Sequence, residues 1–284
     1  MTRDDALLSL RISVDYRNTP GVLRDVSLAI GRGEILGLVG QSGSGKSTLA
    51  LAILRLLHLK RAAVRGEIRF KGEDLLQRDE AGMRSLRGRE ISIVLQSPLS
   101  SLNPVLGIGS QVEEAWRAHA SGPKQQCEAV IRSALRSVSL PDGLEFLRRR
   151  PSQLSVGQAQ RVIIAMAALH RPSLLIADEA TSALDTITQS EILNLFAQLN
   201  RQLEMGILYI SHDLLSVAAL CHRIAILESG TIVECGPPEQ VLGAPRHPYT
   251  QKLVAALPRK PFRASHVQEA FPGAPALSSQ EVLS

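Results

Sequence analysis

Three glycines, a lysine and four hydroxyl residues make up all but one position of the stretch Gly40-Gln41-Ser42-Gly43-Ser44-Gly45-Lys46-Ser47-Thr48. The spacing is that of a phosphate-binding loop: the glycines let backbone N–H groups converge on a β-phosphate, and the positive end of a following helix adds to the attraction. Lys46 is placed to reach β- and γ-phosphates, and Ser47 to hold Mg²⁺. A second group, Asp178-Glu179, follows the apolar run Leu174 to Ala177. Asp178 suits a water-mediated bond to Mg²⁺, and Glu179 suits a general base that polarises an attacking water. Taken alone, the acidic pair is equally a solvated strand end. Taken with the loop, it points to phosphoryl transfer from a nucleotide to water.

Three weaker candidates stand elsewhere. Gln96 follows the apolar run Ile91 to Leu95 and is either an ordinary turn residue or an amide near Mg²⁺ and the water. His212, between Ser211 and Asp213, follows Ile207 to Ile210 and is either a satisfied structural histidine or a site residue. Ser155-Val156-Gly157-Gln158, between Leu154 and Ala159-Gln160-Arg161, has the form of a capping box, which needs no ligand. A capping box does not explain Gly157, since glycine in a helix is less stable than alanine by about 1 kcal/mol. Close backbone approach to something is the implied reason, and a γ-phosphate is the candidate.

These residues need a scaffold that holds strand ends together. Ile35 to Val39 is a short apolar run suited to a buried strand, and Lys46 to Leu57 reads as a helix, so the phosphate loop is a strand-to-helix turn. Residues 9–39 and 66–72 carry short β-like runs bounded by turn residues. Between Gln111 and Leu169 the period becomes helical, with Val130, Ile131, Ala134, Leu135 and Val138 on one face. Then come the strand Leu174 to Ala177, a helix stripe of Ile192, Leu195, Phe196 and Leu199, the strand Ile207 to Ile210, and a hairpin of Ile224 to Leu227 with Thr231 to Val233. Buried parallel strands joined by helices are expected. A tail rich in Pro, Ala and Ser follows Pro258 and is expected to be loosely ordered.

With 284 residues the chain can bury a full α/β core and one subdomain or tail. Its longest apolar run, Val162 to Leu169, is too short to cross a bilayer, and a soluble, cytosolic protein is expected. Cys127, Cys221 and Cys235 are too scattered for a metal site and are read as reduced packing residues. The excess of 32 Lys+Arg over 27 Asp+Glu selects no partner. Scarce aromatics argue against stacking platforms for single-stranded nucleic acid.

The landmarks in order resemble the ATP-binding subunit of ABC transporters over nearly the whole chain. An aromatic before the phosphate loop (Tyr16), the loop itself, a glutamine loop (Gln96), a signature (Leu154 to Gln158), Asp178-Glu179, the loop Ser182-Ala183-Leu184-Asp185 and a switch histidine (His212) all have counterparts. The resemblance implies a phosphate-loop ATPase domain over 1–258 with an N-terminal antiparallel β subdomain and a helical subdomain inserted at about 97–170. It implies that Tyr16 stacks on adenine, Gln96 senses Mg²⁺ and the membrane partner, His212 contacts the γ-phosphate, and Asp185 couples two sites. Ser155, Val156, Gly157 and Gln158 would serve the ATP held by a second ATPase subunit. The cofactors implied are ATP and Mg²⁺. The partners are that second subunit, transmembrane permease subunits and an extracytoplasmic solute-binding protein, with no nucleic acid. The place is the cytoplasmic face of the inner membrane, as a peripheral subunit.

A narrower resemblance, to the dipeptide, oligopeptide and nickel importer group, lies in Gln96 to Pro104 and in Gly236-Pro237-Pro238 through His247-Pro248-Tyr249-Thr250. It implies an importer motor for peptides, or for nickel or another small solute, with a C-terminal extension beginning at about 234–258. The cysteine-bearing segment common in that group has no counterpart after Cys235. Val156 stands where the signature usually has glycine, and the second subunit is the same chain or a different one. Since the importer group usually pairs two different ATPase subunits, the two sites of such a heterodimer are expected to be unequal. A soluble non-transport ATPase of the same family would need a long coiled-coil insertion or a second cassette, neither of which is present.

Overall fold

The computed structural model describes residues 6–257, and the expected tail after Pro258 lies outside the described residues. β1 (Leu8–Tyr16) alternates inward Leu8, Leu10, Ile12 and Val14 with polar positions, the period-2 pattern of a sheet with one covered face. β2 (Thr19–Ile30) pairs with it antiparallel. β3 (Ile35–Val39) is apolar or Gly and buried at every position, and delivers the chain to the phosphate loop and to α1 (Lys46–Ile53). This helix stops short of the expected Leu57. Arg55 turns to φ 51°, and its guanidinium donates to the carbonyls of Leu75, at 3.0 Å, and Arg78. Tertiary bonds thus end a helix that the apolar pattern would continue.

β4 (Ala62–Phe70), β5 (Glu73–Asp74) and α2 (Glu80–Leu86) follow, then β6 (Ile91–Val94). The chain next runs through α3 (Pro98–Ser101), α4 (Ile108–Arg117), α5 (Lys124–Ser137), α6 (Leu144–Arg148) and α7 (Val156–Ala168). On α5 and its end, Ile131, Leu135 and Val138 are buried, while Val130 and Ala134 are half-buried. β7 (Leu174–Asp178), α8 (Thr186–Leu203), β8 (Gly206–Ser211) and α9 (Leu214–Leu220) alternate as expected. β9 (Arg223–Glu228), β10 (Thr231–Gly236), α10 (Pro238–Gly243) and α11 (Pro248–Ala255) complete the described chain.

The strands form two sheets. One is antiparallel, in the order β2-β1-β4-β5; the other has the order β10-β9-β3-β8-β7-β6 and is parallel except for β10. The α/β class with an N-terminal antiparallel sheet is therefore as expected. Strand residues of the larger sheet alternate between two cores. Ile35, Leu175, Ala177, Ile207 and Tyr209 join the core that includes α4 to α9, while Leu36, Leu38, Ile176, Leu208 and Ile210 face the core shared with the antiparallel sheet. Burial on both faces explains why these strands read as unbroken apolar runs. It also leaves the carboxyl ends of β3, β7 and β8 side by side, where open α/β sheets place ligands. Among the described residues, no helix is long and apolar enough to cross a membrane.

Candidate functional site

The phosphate loop bridges β3 and α1. Gly45 precedes the helix at φ 108°, and a Cβ there would lie 2.6 Å from Leu23 Cδ2, so both conformation and space require glycine. Lys46 is buried, and its ammonium donates to the carbonyls of Gly40 at 2.7 Å and Gln41 at 3.0 Å. Burial lowers its pKa from the ordinary lysine value, against the opposing pull of Glu179 and Asp178. The Ser44 amide donates to the Gln41 carbonyl at 3.1 Å, and the Ser44 carbonyl accepts from the Gly230 amide at 3.1 Å. The β9–β10 turn thereby braces the loop. A cavity of about 700 Å³ opens over it, lined by Gln41, Ser42, Gly43 and Gly45 to Thr48, with Val22, Gln96, Glu179 and His212. That is the size range of a small-molecule or cofactor site.

Asp178 ends β7, buried to 9% exposure, and its Oδ1 has no hydrogen-bond partner. Burial raises its pKa from the ordinary carboxylate value; the Ser47 hydroxyl bonded to it and nearby Lys46 resist that rise, while Glu179 adds to it. A buried carboxylate oxygen without a partner beside a serine hydroxyl is a set of hard oxygen donors, the kind that Mg²⁺ takes. Glu179 adopts φ 53°, and its amide donates to the Ile210 carbonyl at 3.0 Å. Its Oε2 lies 2.6 Å from Nδ1 of His212, which is itself 62% exposed. Gln96 follows β6 and faces the same cavity.

The remaining sequence candidates lie around this centre. Tyr16 does not line the phosphate cavity. It borders a neighbouring hollow with Asn18, Thr19 and Lys60, with Val22 common to both, and its hydroxyl is 3.2 Å from Thr48 Oγ1. Ser155 and Gln158 form the capping box of α7: the Ser155 hydroxyl accepts from the Gln158 amide at 3.1 Å, and the Gln158 side chain accepts from the Ser155 amide at 3.2 Å. Val156 is exposed at the first position of the helix. None of these residues lines the cavity in this chain. Asp185 caps α8, accepting from the amides of Ile187 and Thr188 and from the Thr188 hydroxyl at 2.7 Å.

One sequence reading is corrected here and another gains a second account. Gly157 also has a reason within the chain: a Cβ would lie 2.7 Å from Thr188 Cγ2. Close packing of α7 on the start of α8 thus favours glycine independently of any phosphate. Of the three cysteines, Cys127 and Cys221 are buried and reduced, but Cys235 is exposed, and Arg223 Nη2 donates to its sulfur at 3.4 Å.

Three residues at the site had not been singled out for it. Val22 lines the cavity, Thr188 joins Asp185 to Gly157, and the Tyr249 hydroxyl accepts from the Gln41 amide at 3.2 Å. The His-Pro-Tyr stretch was visible in sequence; its reach to the loop was not.

Residues 23–182 match the family described as ABC transporter, and residues 233–280 match the oligopeptide/dipeptide transporter C-terminal region. The glutathione import ATP-binding protein GsiA of Salmonella typhimurium is 43% identical over 243 residues, 84% of this chain but only 39% of that one. This chain thus spans about two-fifths of that relative's length. A protein of Brucella abortus named as a candidate peptide import ATP-binding protein is 40% identical over 250 residues, 87% of this chain and 75% of its own. Among solved structures, cbiO1 of Clostridium perfringens, part of the ABC transporter complex cbiONQ, superposes with a TM-score of 0.75 at 25% identity. That match covers 93% of this chain and 99% of the other. The ATP-binding cassette MJ0796, solved as a post-hydrolysis dimer with ADP and Pi, gives 0.69 at 26% identity, covering 81% and 98%.

Proposed function

This chain belongs to the ABC transporter family, and from that premise we propose that it is the ATP-hydrolysing subunit of an importer for peptides. The observation that carries the reading is one cavity bordered by Lys46 and Ser47 at the start of α1, Glu179 after β7, His212 after β8, and Gln96. The adjacent ends of β3, β8 and β7 thus bring a cation, a carboxylate and an imidazole to one space of cofactor size.

In this reading the loop amides and Lys46 bind the β- and γ-phosphates, with Lys46 leaving its carbonyl partners for them. Ser47, Asp178 and Gln96 would hold Mg²⁺, which when bound neutralises charge on the phosphate oxygens. Glu179 takes the proton of the attacking water at a carboxylate oxygen, and His212 holds that carboxylate in place. Tyr16 is assigned to the adenine ring, since its hydroxyl meets Thr48 at the loop's far edge. Ser155 to Gln158 are assigned to the ATP of a second ATPase subunit, since Ser155 and Val156 are exposed, Gly157 and Gln158 are half-buried, and none of the four lines this chain's own cavity. Asp185, behind them, is assigned to coupling between the two sites. Permease subunits would bring the chain to the cytoplasmic face of the membrane, with an external solute-binding protein supplying the cargo. The region 97–170 is assigned to an inserted helical subdomain, and the chain from about 234 to a C-terminal extension.

Peptide as cargo is favoured by the match at 233–280 and by the names of the relatives, import proteins for glutathione and for peptides. The test is ATP hydrolysis by the chain assembled with permease subunits. Glu179→Gln should abolish turnover while MgATP still binds; turnover at the wild-type rate would overturn the assignment. Uptake of a labelled peptide, against labelled nickel, separates the two cargo classes.

A further inference from the structure

The chain beyond β10 returns to the nucleotide site. Glu234 on β10 is buried, and its two oxygens accept from the amides of Arg246 and His247, each at 3.0 Å. His247 then caps α11, its Nδ1 accepting from the Tyr249 amide at 3.3 Å, and Pro248 occupies the first helical position. These bonds fix the start of α11, and the Tyr249 ring packs against the larger core. From there its hydroxyl accepts the Gln41 amide at 3.2 Å.

That amide belongs to the Gly40–Gln41 peptide, whose carbonyl accepts Lys46 at 2.7 Å. No cis peptide is present among the described residues, so the N–H and C=O of this unit point to opposite sides. Tyr249 therefore grips the loop from outside while the inner side stays available to Lys46 and phosphate. An N–H held in this way cannot swing, and the amides that follow it in the loop keep their convergence. Preorganisation of this kind strengthens ligand binding by removing a cost of ordering.

We propose that Tyr249 is a positioning residue for the phosphate loop, through which the Glu234-anchored C-terminal region sets the affinity for ATP. This rests on the reading of Gly40 to Thr48 as the ATP site. The decisive variant is Tyr249→Phe, which keeps the ring and removes the acceptor. Titration calorimetry of MgATP into the full chain should show about fivefold weaker binding, the size of one net hydrogen bond. Hydrogen exchange at the Gln41 amide should quicken, with the melting temperature in the absence of nucleotide lowered by no more than about 2–4 °C, the worth of one net hydrogen bond. In the assembled transporter KM for ATP should rise by a similar factor, with kcat changed by less than about twofold. Wild-type affinity in the variant would overturn the inference, as would a loss of affinity accompanied by a larger fall in melting temperature. If the wild-type chain fails to bind MgATP, the ATP reading falls and this inference with it; binding by wild type matched by the variant removes this inference alone.

Discussion

Nδ1 of His212 lies 2.6 Å from Oε2 of Glu179, across the ends of two adjacent parallel strands. The carboxylate assigned to activate water is thus held by a side chain from a different element, and its own backbone sits at φ 53°. A non-glycine residue in that region persists only when its surroundings hold it there. In the proposed reading the pairing would also separate two functions: Lys46 and the loop would bind, whereas His212 and Glu179 would prepare the water.

Removing the imidazole should therefore lower turnover more than binding. His212→Ala is expected to reduce ATP hydrolysis by the assembled complex about 100-fold, the usual weight of a general-base arrangement. Calorimetry should show the affinity of the chain for MgATP within about threefold of wild type. A variant that hydrolyses at the wild-type rate would separate His212 from the reaction.

Asp178 gives a prediction of opposite sign for stability and activity. Its folded pKa is raised above the unfolded value, so the charged carboxylate costs stability at neutral pH, and that cost disappears below the unfolded pKa. Asp178→Asn should stabilise the nucleotide-free chain at pH 7 by about 1 kcal/mol while abolishing Mg²⁺-dependent hydrolysis. The gain should shrink as pH falls through the raised pKa towards the ordinary carboxylate range. Melting curves of both proteins between pH 4 and 7 check this, and a gap independent of pH would count against burial as its cause.

The contact between Gly157 and Thr188 can be tested as a pair. Gly157→Ala places a methyl 2.7 Å from Thr188 Cγ2 and should cost about 1–2 kcal/mol by overpacking. Thr188→Ser removes that methyl and keeps a hydroxyl for Asp185, so Gly157→Ala in this background should be neutral or stabilising. Denaturant unfolding of the four proteins gives the coupling, and additive effects would refute the steric account.

Val156 gives a test of whether the two sites of the proposed dimer would be unequal. In a heterodimer Val156→Gly should raise hydrolysis by the assembled complex at saturating ATP by up to about twofold, since one site of two would be affected. An unchanged rate would show that the bulk of the valine does not matter there.

What the sequence made legible and what it hid differ in range. The phosphate loop, Asp178-Glu179 and His212 each follow a buried strand of four to six residues, and runs such as Ile35 to Val39 announce themselves because both faces are covered. The hidden part consists of contacts between residues far apart in the chain. Tyr249 lies 208 residues from Gln41, and no local pattern encodes that distance. Thr188 beneath Gly157 is hidden in the same way. The early end of α1 comes from Arg55 reaching the carbonyls of Leu75 and Arg78, a choice no helical period reveals.

The order of the larger sheet has a consequence for the chain as it leaves the ribosome. β3, made early, has as its neighbours β8 and β9, made more than 160 residues later, and the loop after it is braced by the still later Gly230. Until those segments emerge, the strand that presents Lys46 has no partner on either edge. The nascent protein must therefore keep a pentapeptide of apolar residues and glycine from other edges while the segments between are made, a period of about 10–40 s at ordinary elongation rates. Closure of the sheet and bracing of the phosphate loop are then the same late event.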